Sequence, residues 1–141
     1  MSACTGCTRR QFLVLSAGAV VGACSSGSGG GGTTLGVGNV KDIAVGQTLT
    51  ASDSSCVLMR DSGGLYALSL TCTHAGCNLA GGVSAQQIQC SCHGSVFGPN
   101  GQVLQGPAQD PLPHYAVTVD SAGAITVDTS KTVAADQRTA V

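Results

Sequence analysis

Two short runs hold the residues best suited to binding a metal: Cys72-Thr73-His74-Ala75-Gly76-Cys77 and Cys90-Ser91-Cys92-His93-Gly94-Ser95. Two of the chain's three histidines fall here, spaced as C-x-H and C-x-x-H, with fifteen residues between His74 and Cys90. Thiolate and neutral imidazole are soft to borderline donors. Four of them could close one structural zinc site or hold a cluster of two irons and two sulfides. In the cluster each run gives one thiolate and one imidazole, so that Cys72 and Cys90 serve one iron while His74 and His93 serve the other. Zinc stays open as the alternative, but it gives no task to Ser95 or to the spare cysteine in each run. A spectrum separates the two, because zinc protein is colourless and silent in electron paramagnetic resonance.

A frame must bring the two runs together, and composition limits what it can be. With 141 residues, 9% of them charged, 21 glycines and no tryptophan, the chain predicts one small, loop-rich domain whose modest core needs help from metal or cross-link. Branched residues bounded by Gly, Ser, Asn and Asp predict strands at residues 40–45, 56–60, 65–70, 103–105, 115–119 and 125–127. Asp61 to Gly64 and Asp120 to Gly123 read as hairpin turns. No helical periodicity of useful length occurs. The predicted fold is therefore an all-β antiparallel sandwich with the metal runs as an inserted loop subdomain. Cys56 is expected as a buried small hydrophobe, and His114 as an exposed residue at a strand edge.

The chain divides into a targeting segment (1–23), a Gly/Ser-rich flexible linker (24–38), the metal-binding domain (39–130) and a frayed tail (131–141). Thr8 to Leu13, with Arg9 and Arg10, resembles the twin-arginine export motif. The apolar run 12–23 that follows, at twelve residues, is too short to span a bilayer as a helix. Val21-Gly22-Ala23-Cys24 resembles a bacterial lipobox, which implies cleavage before Cys24 and a lipid on its sulfur; the plainer alternative is a cysteine that happens to sit at an ordinary cleavage site. Cys4 and Cys7 would be discarded with the signal. The twin-arginine route carries folded proteins, which is what a cluster inserted in the cytoplasm would require. From Cys24 onward four basic residues face seven aspartates, 4 − 7 = −3, with no run of either sign. Such a surface offers nothing to nucleic acid.

The paired motifs C-x-H-x-G-C and C-x-C-H-G-S resemble the signature of the Rieske family, and the likeness extends over roughly residues 40–128. The resemblance implies one 2Fe-2S cluster held by Cys72, His74, Cys90 and His93, and a disulfide between Cys77 and Cys92. It also implies a proline loop, from Gly106-Pro107-Ala108 to Pro111-Leu112, closing over the cluster. Ser95 takes the role of donor to a bridging sulfide. Two positions depart from the pattern. Phe97 stands where the highest-potential members have a tyrosine that donates to a ligand thiolate, and Ala75 stands where respiratory quinol-oxidising members carry leucine.

The function so implied is one-electron transfer without substrate turnover of its own, at the extracytoplasmic (periplasmic) face of a bacterial membrane. Its anchor would be a lipid on Cys24, and its setting a quinol–cytochrome c oxidoreductase-like chain with cytochrome b or c and quinol as partners. The alternative is the small electron-transfer subunit of a molybdenum oxidase such as arsenite oxidase, followed by a structural zinc or disulfide protein. A Rieske oxygenase is excluded, since its mononuclear iron needs two histidines and a carboxylate and only His114 would remain.

Overall fold

The computed structural model describes residues 33–141, so Arg9, Arg10, Cys4, Cys7 and Cys24 lie outside the described residues. The strongest local signal is the run Cys56–Asp61 (β3), which turns at Ser62 and Gly63 into Gly64–Ser69 (β4). The Asp61 carboxylate accepts the Gly63 N–H at 2.7 Å and closes the hairpin. Both strands are apolar on both sides and both are buried on both sides. Side chains alternate across a strand. Hence Val57, Met59, Tyr66 and Leu68 enter one apolar cluster, while Cys56, Leu58, Leu65 and Ala67 enter a second on the opposite face.

Around this hairpin a six-stranded antiparallel sheet forms in the order β1-β9-β8-β4-β3-β2, with β1 at Thr34–Asn39, β2 at Thr48–Thr50, β8 at His114–Val119 and β9 at Ala124–Val133. A smaller sheet of Ile88–Gln89 (β5), Val96–Phe97 (β6) and Val103–Gln105 (β7) lies outside it. The first apolar cluster joins the two sheets: Leu79, Ile88, Phe97 and Leu112 pack with Tyr66 and Leu68. The expected all-β antiparallel architecture with an inserted subdomain is therefore the architecture observed.

Three expectations need correction. The strand predicted at 40–45 lies earlier, at Thr34–Asn39, all but its last residue inside the stretch read as linker, while Val40–Asp42 forms a short 3-10 turn. The cause is Asn39, whose side chain accepts the Lys41 N–H at 3.2 Å while Asp42 accepts the Asn39 N–H at 3.2 Å, a reciprocal cap that ends the extended chain. The tail is not frayed. Strand β9 pairs with β8 as far as Val133, and Thr139 exchanges both backbone hydrogen bonds with Leu65 at 2.8 Å. His114 is not at an edge, because β8 runs between β4 and β9, and the residue is buried.

Candidate metal centre

The first run leaves the end of β4, and its start is fixed where the Leu79 N–H donates to Leu70 at 2.8 Å. The second leaves β5 and enters β6. Both close in the same way. The Cys72 N–H donates to the Cys77 carbonyl and the Gly76 N–H to the Cys72 carbonyl, each at 2.8 Å. Likewise the Cys90 N–H donates to the Ser95 carbonyl at 2.8 Å and the Gly94 N–H to the Cys90 carbonyl at 3.0 Å. Each loop thus returns on itself over six residues. The fifth position must be left-handed, with φ of 74° at Gly76 and 80° at Gly94, which is why glycine stands there in both.

Cys77 and Cys92 are joined by a disulfide across a sequence separation of 15, which fastens loop to loop. Cys72 and Cys90 are free and buried, whereas His74 and His93 are exposed, their rings 4.8 Å apart and nearly perpendicular at 86°. The sulfurs of Cys77, Cys90 and Cys92 lie within 4.8 Å of one another, but two of them are spent on the disulfide and cannot act as thiolate donors. Burial pushes the Cys90 thiol upward. The N–H of Cys92, the Cys72 side chain and the N–H of His93 more than offset this, so the thiol lies below its ordinary value. Two adjacent thiols inside, backbone donors aimed at sulfur and two imidazoles outside make a donor set that fits a 2Fe-2S cluster with unlike ends.

A further set of hydrogen bonds holds the loops. Ser95 is fully buried and its hydroxyl oxygen accepts the Ala108 N–H at 3.0 Å, which leaves the hydroxyl proton free to be donated. Thr73 donates to the Asp110 carbonyl at 2.7 Å, and Gln105 donates to the Gly94 carbonyl at 3.3 Å. These contacts bind the proline loop and β7 to the two metal loops. A cleft of about 190 Å³, lined by Thr73, His74, Pro107, Gln109 and Asp110, opens beside the first imidazole. Thr73, Gln105 and Asp110 were not singled out from sequence, because their partners are tens of residues away or are backbone atoms that carry no sequence mark.

The third histidine stands apart from this group. His114 Nε2 donates to the Asn100 carbonyl at 3.0 Å, and its Nδ1 is buried with no partner among the described residues. Burial pulls its pKa below the usual 6.5, the Asn100 carbonyl opposing this and the charge of Arg138 adding to it. Since the folded value is the lower one, the stability it contributes is complete above pH 6.5 and is lost as pH falls from there through the folded value. The unfolding free energy is expected to fall below pH 6.5 by up to about 1.4 kcal/mol per pH unit for the one proton, read as an acid limb in the melting midpoint. His114→Phe, which keeps the ring, should flatten that limb, and an unaltered acid limb in the variant would contradict the assignment.

Comparison with known proteins agrees with the geometry. The Rieske [2Fe-2S] domain matches residues 33–116, more than half the chain. The chain belongs to the Rieske family, and one 2Fe-2S cluster is its cofactor. It is 33% identical over 88 residues to the cytochrome b6-f complex iron-sulfur subunit of Chlorobaculum tepidum, a match covering 61% of this chain and 49% of that one. The chain thus spans about half the length of that relative. The solved plasma membrane Rieske protein PetC3 from Synechocystis PCC 6803 is similar with a TM-score of 0.52 at 32% identity, covering 67% of this chain and 99% of the other. A complex of reduced oxygenase and oxidized ferredoxin in carbazole 1,9a-dioxygenase contains a chain similar at 26% identity with a TM-score of 0.50, covering 67% of this chain and 92% of that one. Rieske-type electron transfer is the chemistry of the matched domain.

Proposed function

We propose that Cys72, His74, Cys90 and His93 are the cluster's ligands, with Ser95 as a hydrogen-bond donor to it. In this reading the protein passes single electrons in a quinol–cytochrome oxidoreductase-like chain, tethered outside a bacterial membrane by lipid on Cys24. The observation that carries this is the split between two buried thiols and two exposed imidazoles, which turns the histidine end toward a partner. The cluster supplies a one-electron couple in the range of about −150 to +300 mV, above the roughly −400 mV of all-cysteine plant-type ferredoxins. His74 and His93 each keep one ring nitrogen for a partner. Once that nitrogen has given up its own proton, either ring would accept a hydrogen bond from a quinol hydroxyl and hold its proton. The sulfur end is kept from water by burial of Cys72 and Cys90 in the apolar cluster that also takes in Ala108 and Leu112 of the proline loop.

The resemblance to a cytochrome b6-f subunit supports a quinol donor. The competing reading is a small subunit beside a molybdenum oxidase, and what favours it is the small, exposed Ala75 at the first loop in place of a bulky docking residue. Purified protein made with ample iron and sulfide should show Rieske electron paramagnetic resonance, and a quinol should reduce it in the presence of the membrane partner. Reduction only by a molybdenum enzyme would decide for the second reading. Tethering is read separately, by the membrane fraction of a Cys24→Ala chain.

Phe97 gives a further expected outcome. It is fully buried in the cluster of residues that contains Cys72 and Cys90. In Phe97→Tyr a phenol donating to sulfur favours the reduced state by about 1 kcal/mol, a rise of about 40 mV in a one-electron couple. Spectroelectrochemistry measures it, and no rise would mean that the hydroxyl does not reach sulfur.

A further inference from the structure

Three side chains from distant parts of the chain form one column. The Arg138 guanidinium lies 3.9 Å above the centre of the Tyr66 ring, and Tyr66 stacks on His114 at 5.9 Å with the planes 21° apart. Each member donates to the same corner between β6 and β7. The Tyr66 hydroxyl donates to the Pro99 carbonyl at 3.0 Å, His114 Nε2 to the Asn100 carbonyl at 3.0 Å, and Arg138 Nη2 to Asn100 Oδ1 at 2.7 Å. The remaining donors of Arg138 reach Asp61 at 2.6 Å and the carbonyls of Ala135 and Gln137 at 2.9 and 3.1 Å. Only a planar, five-donor group can meet all of these at once. Through it the C-terminal segment, the base of the large sheet and the corner of the small sheet are made one unit.

That corner is connected to the metal site along two routes. Strand β6 runs from it through Phe97 and Val96 directly back to Ser95. On the other side the Gly101 carbonyl accepts the Leu112 N–H at 2.8 Å, which anchors the far end of the proline loop. The same loop carries Ala108, whose N–H fixes the Ser95 oxygen at 3.0 Å. A displacement of the corner therefore moves both supports of one hydroxyl group.

We propose that Arg138 is a positioning residue for Ser95: by holding Asn100 it fixes the β6–β7 corner, and with it the direction in which the buried hydroxyl donates. This rests on the role of Ser95 proposed above. The inference gives the segment from Lys131 onward a part in setting the reduction potential, although it lies beyond the residues that match the family.

The test is spectroelectrochemistry on the full chain with its cluster, comparing the parent with Ser95→Ala, Arg138→Ala, Arg138→Lys, Asn100→Ala and the Arg138→Ala/Asn100→Ala double variant. Ser95→Ala should lower the potential. Arg138→Ala and Asn100→Ala should lower it in the same direction by a smaller amount, the double variant no further than either alone, because both act through one hydrogen bond. Lysine should not restore the parent value. Parent potential and resonance spectrum in Arg138→Ala, beside a lowered melting midpoint, would reduce the column to an anchor and overturn the proposal; additive shifts or full rescue by lysine would do the same. Should Arg138→Ala not accumulate, Asn100→Ala decides alone, since it leaves Arg138 on Asp61 and Tyr66. An unshifted Ser95→Ala strikes the Ser95 role and this proposal with it. A lowered Ser95→Ala beside unshifted Arg138→Ala and Asn100→Ala strikes only the coupling.

Discussion

A Cys90→Ser chain, purified with ample iron and sulfide, is expected to contain iron only at background and to lack the visible absorption and resonance spectrum of the parent. The sulfur is buried, faces the Cys72 side chain and is met by the N–H groups of Cys92 and His93, so the backbone is arranged for a thiolate at that point. Serine at the same place presents a hydroxyl that stays protonated, a hard donor where iron and sulfide chemistry calls for a soft one. The loop itself should survive, because its closure uses backbone bonds from Cys90 to Ser95 and from Gly94 to Cys90 that the substitution leaves alone. Circular dichroism of the β structure should therefore persist while the cluster is gone. Cys56→Ser supplies the comparison: that cysteine is also free and buried, but in the opposite apolar cluster, and the variant should keep its iron. Full spectral intensity in Cys90→Ser, or its loss in Cys56→Ser, would show the ligand set to be wrong.

The second large effect concerns the Cys77–Cys92 bridge. Changing both residues to serine removes a closure over 15 residues, worth about 3 kcal/mol by chain entropy. For a domain of this size that corresponds to a fall of roughly 15 °C in the melting midpoint. The bridge is the one covalent tie between two loops that otherwise close each on itself, so its loss should also speed release of the cluster to a chelator. Cys92 is exposed, and a reductant that leaves the cluster intact should reproduce the serine variant. A midpoint unchanged by both treatments would mean that the loops are held together by the metal alone.

The contrast between these loops and the rest of the molecule explains what could be read in advance. What closes each metal loop on itself is contiguous: the donor, the glycine four places later and the closing residue fall within six positions, so sequence order is nearly spatial order. Strand positions at Cys56–Asp61 and Gly64–Ser69 were legible for a similar reason, with a short turn between runs of branched residues. Strand β1 was hidden because Leu35 and Val37 alternate among glycines, and only the second apolar cluster, to which residues from β4, β8 and β9 contribute, makes that weak alternation count. His114 was misread because its burial comes from Tyr66 beside it and β9 outside it, neither of which its neighbours in sequence announce. Arg138 was taken for part of a loose end for the same cause. Its partners Asp61, Tyr66 and Asn100 lie 77, 72 and 38 positions away, and no local pattern encodes such a meeting.

The matching closure of the two metal loops has a consequence for how such a protein can change. Because each loop completes its own backbone bonding, and Leu79 and Ile88 keep the stretch between them packed in the core, the small turn within it, in which the Ser84 N–H donates to the Gln87 carbonyl at 2.9 Å, has no duty toward the irons. Lengthening that turn leaves the redox machinery untouched while reshaping the neighbouring surface. Variation there would be free to follow a change of docking mate, so the grip on the cofactor and the choice of companion can evolve on separate stretches of one short chain.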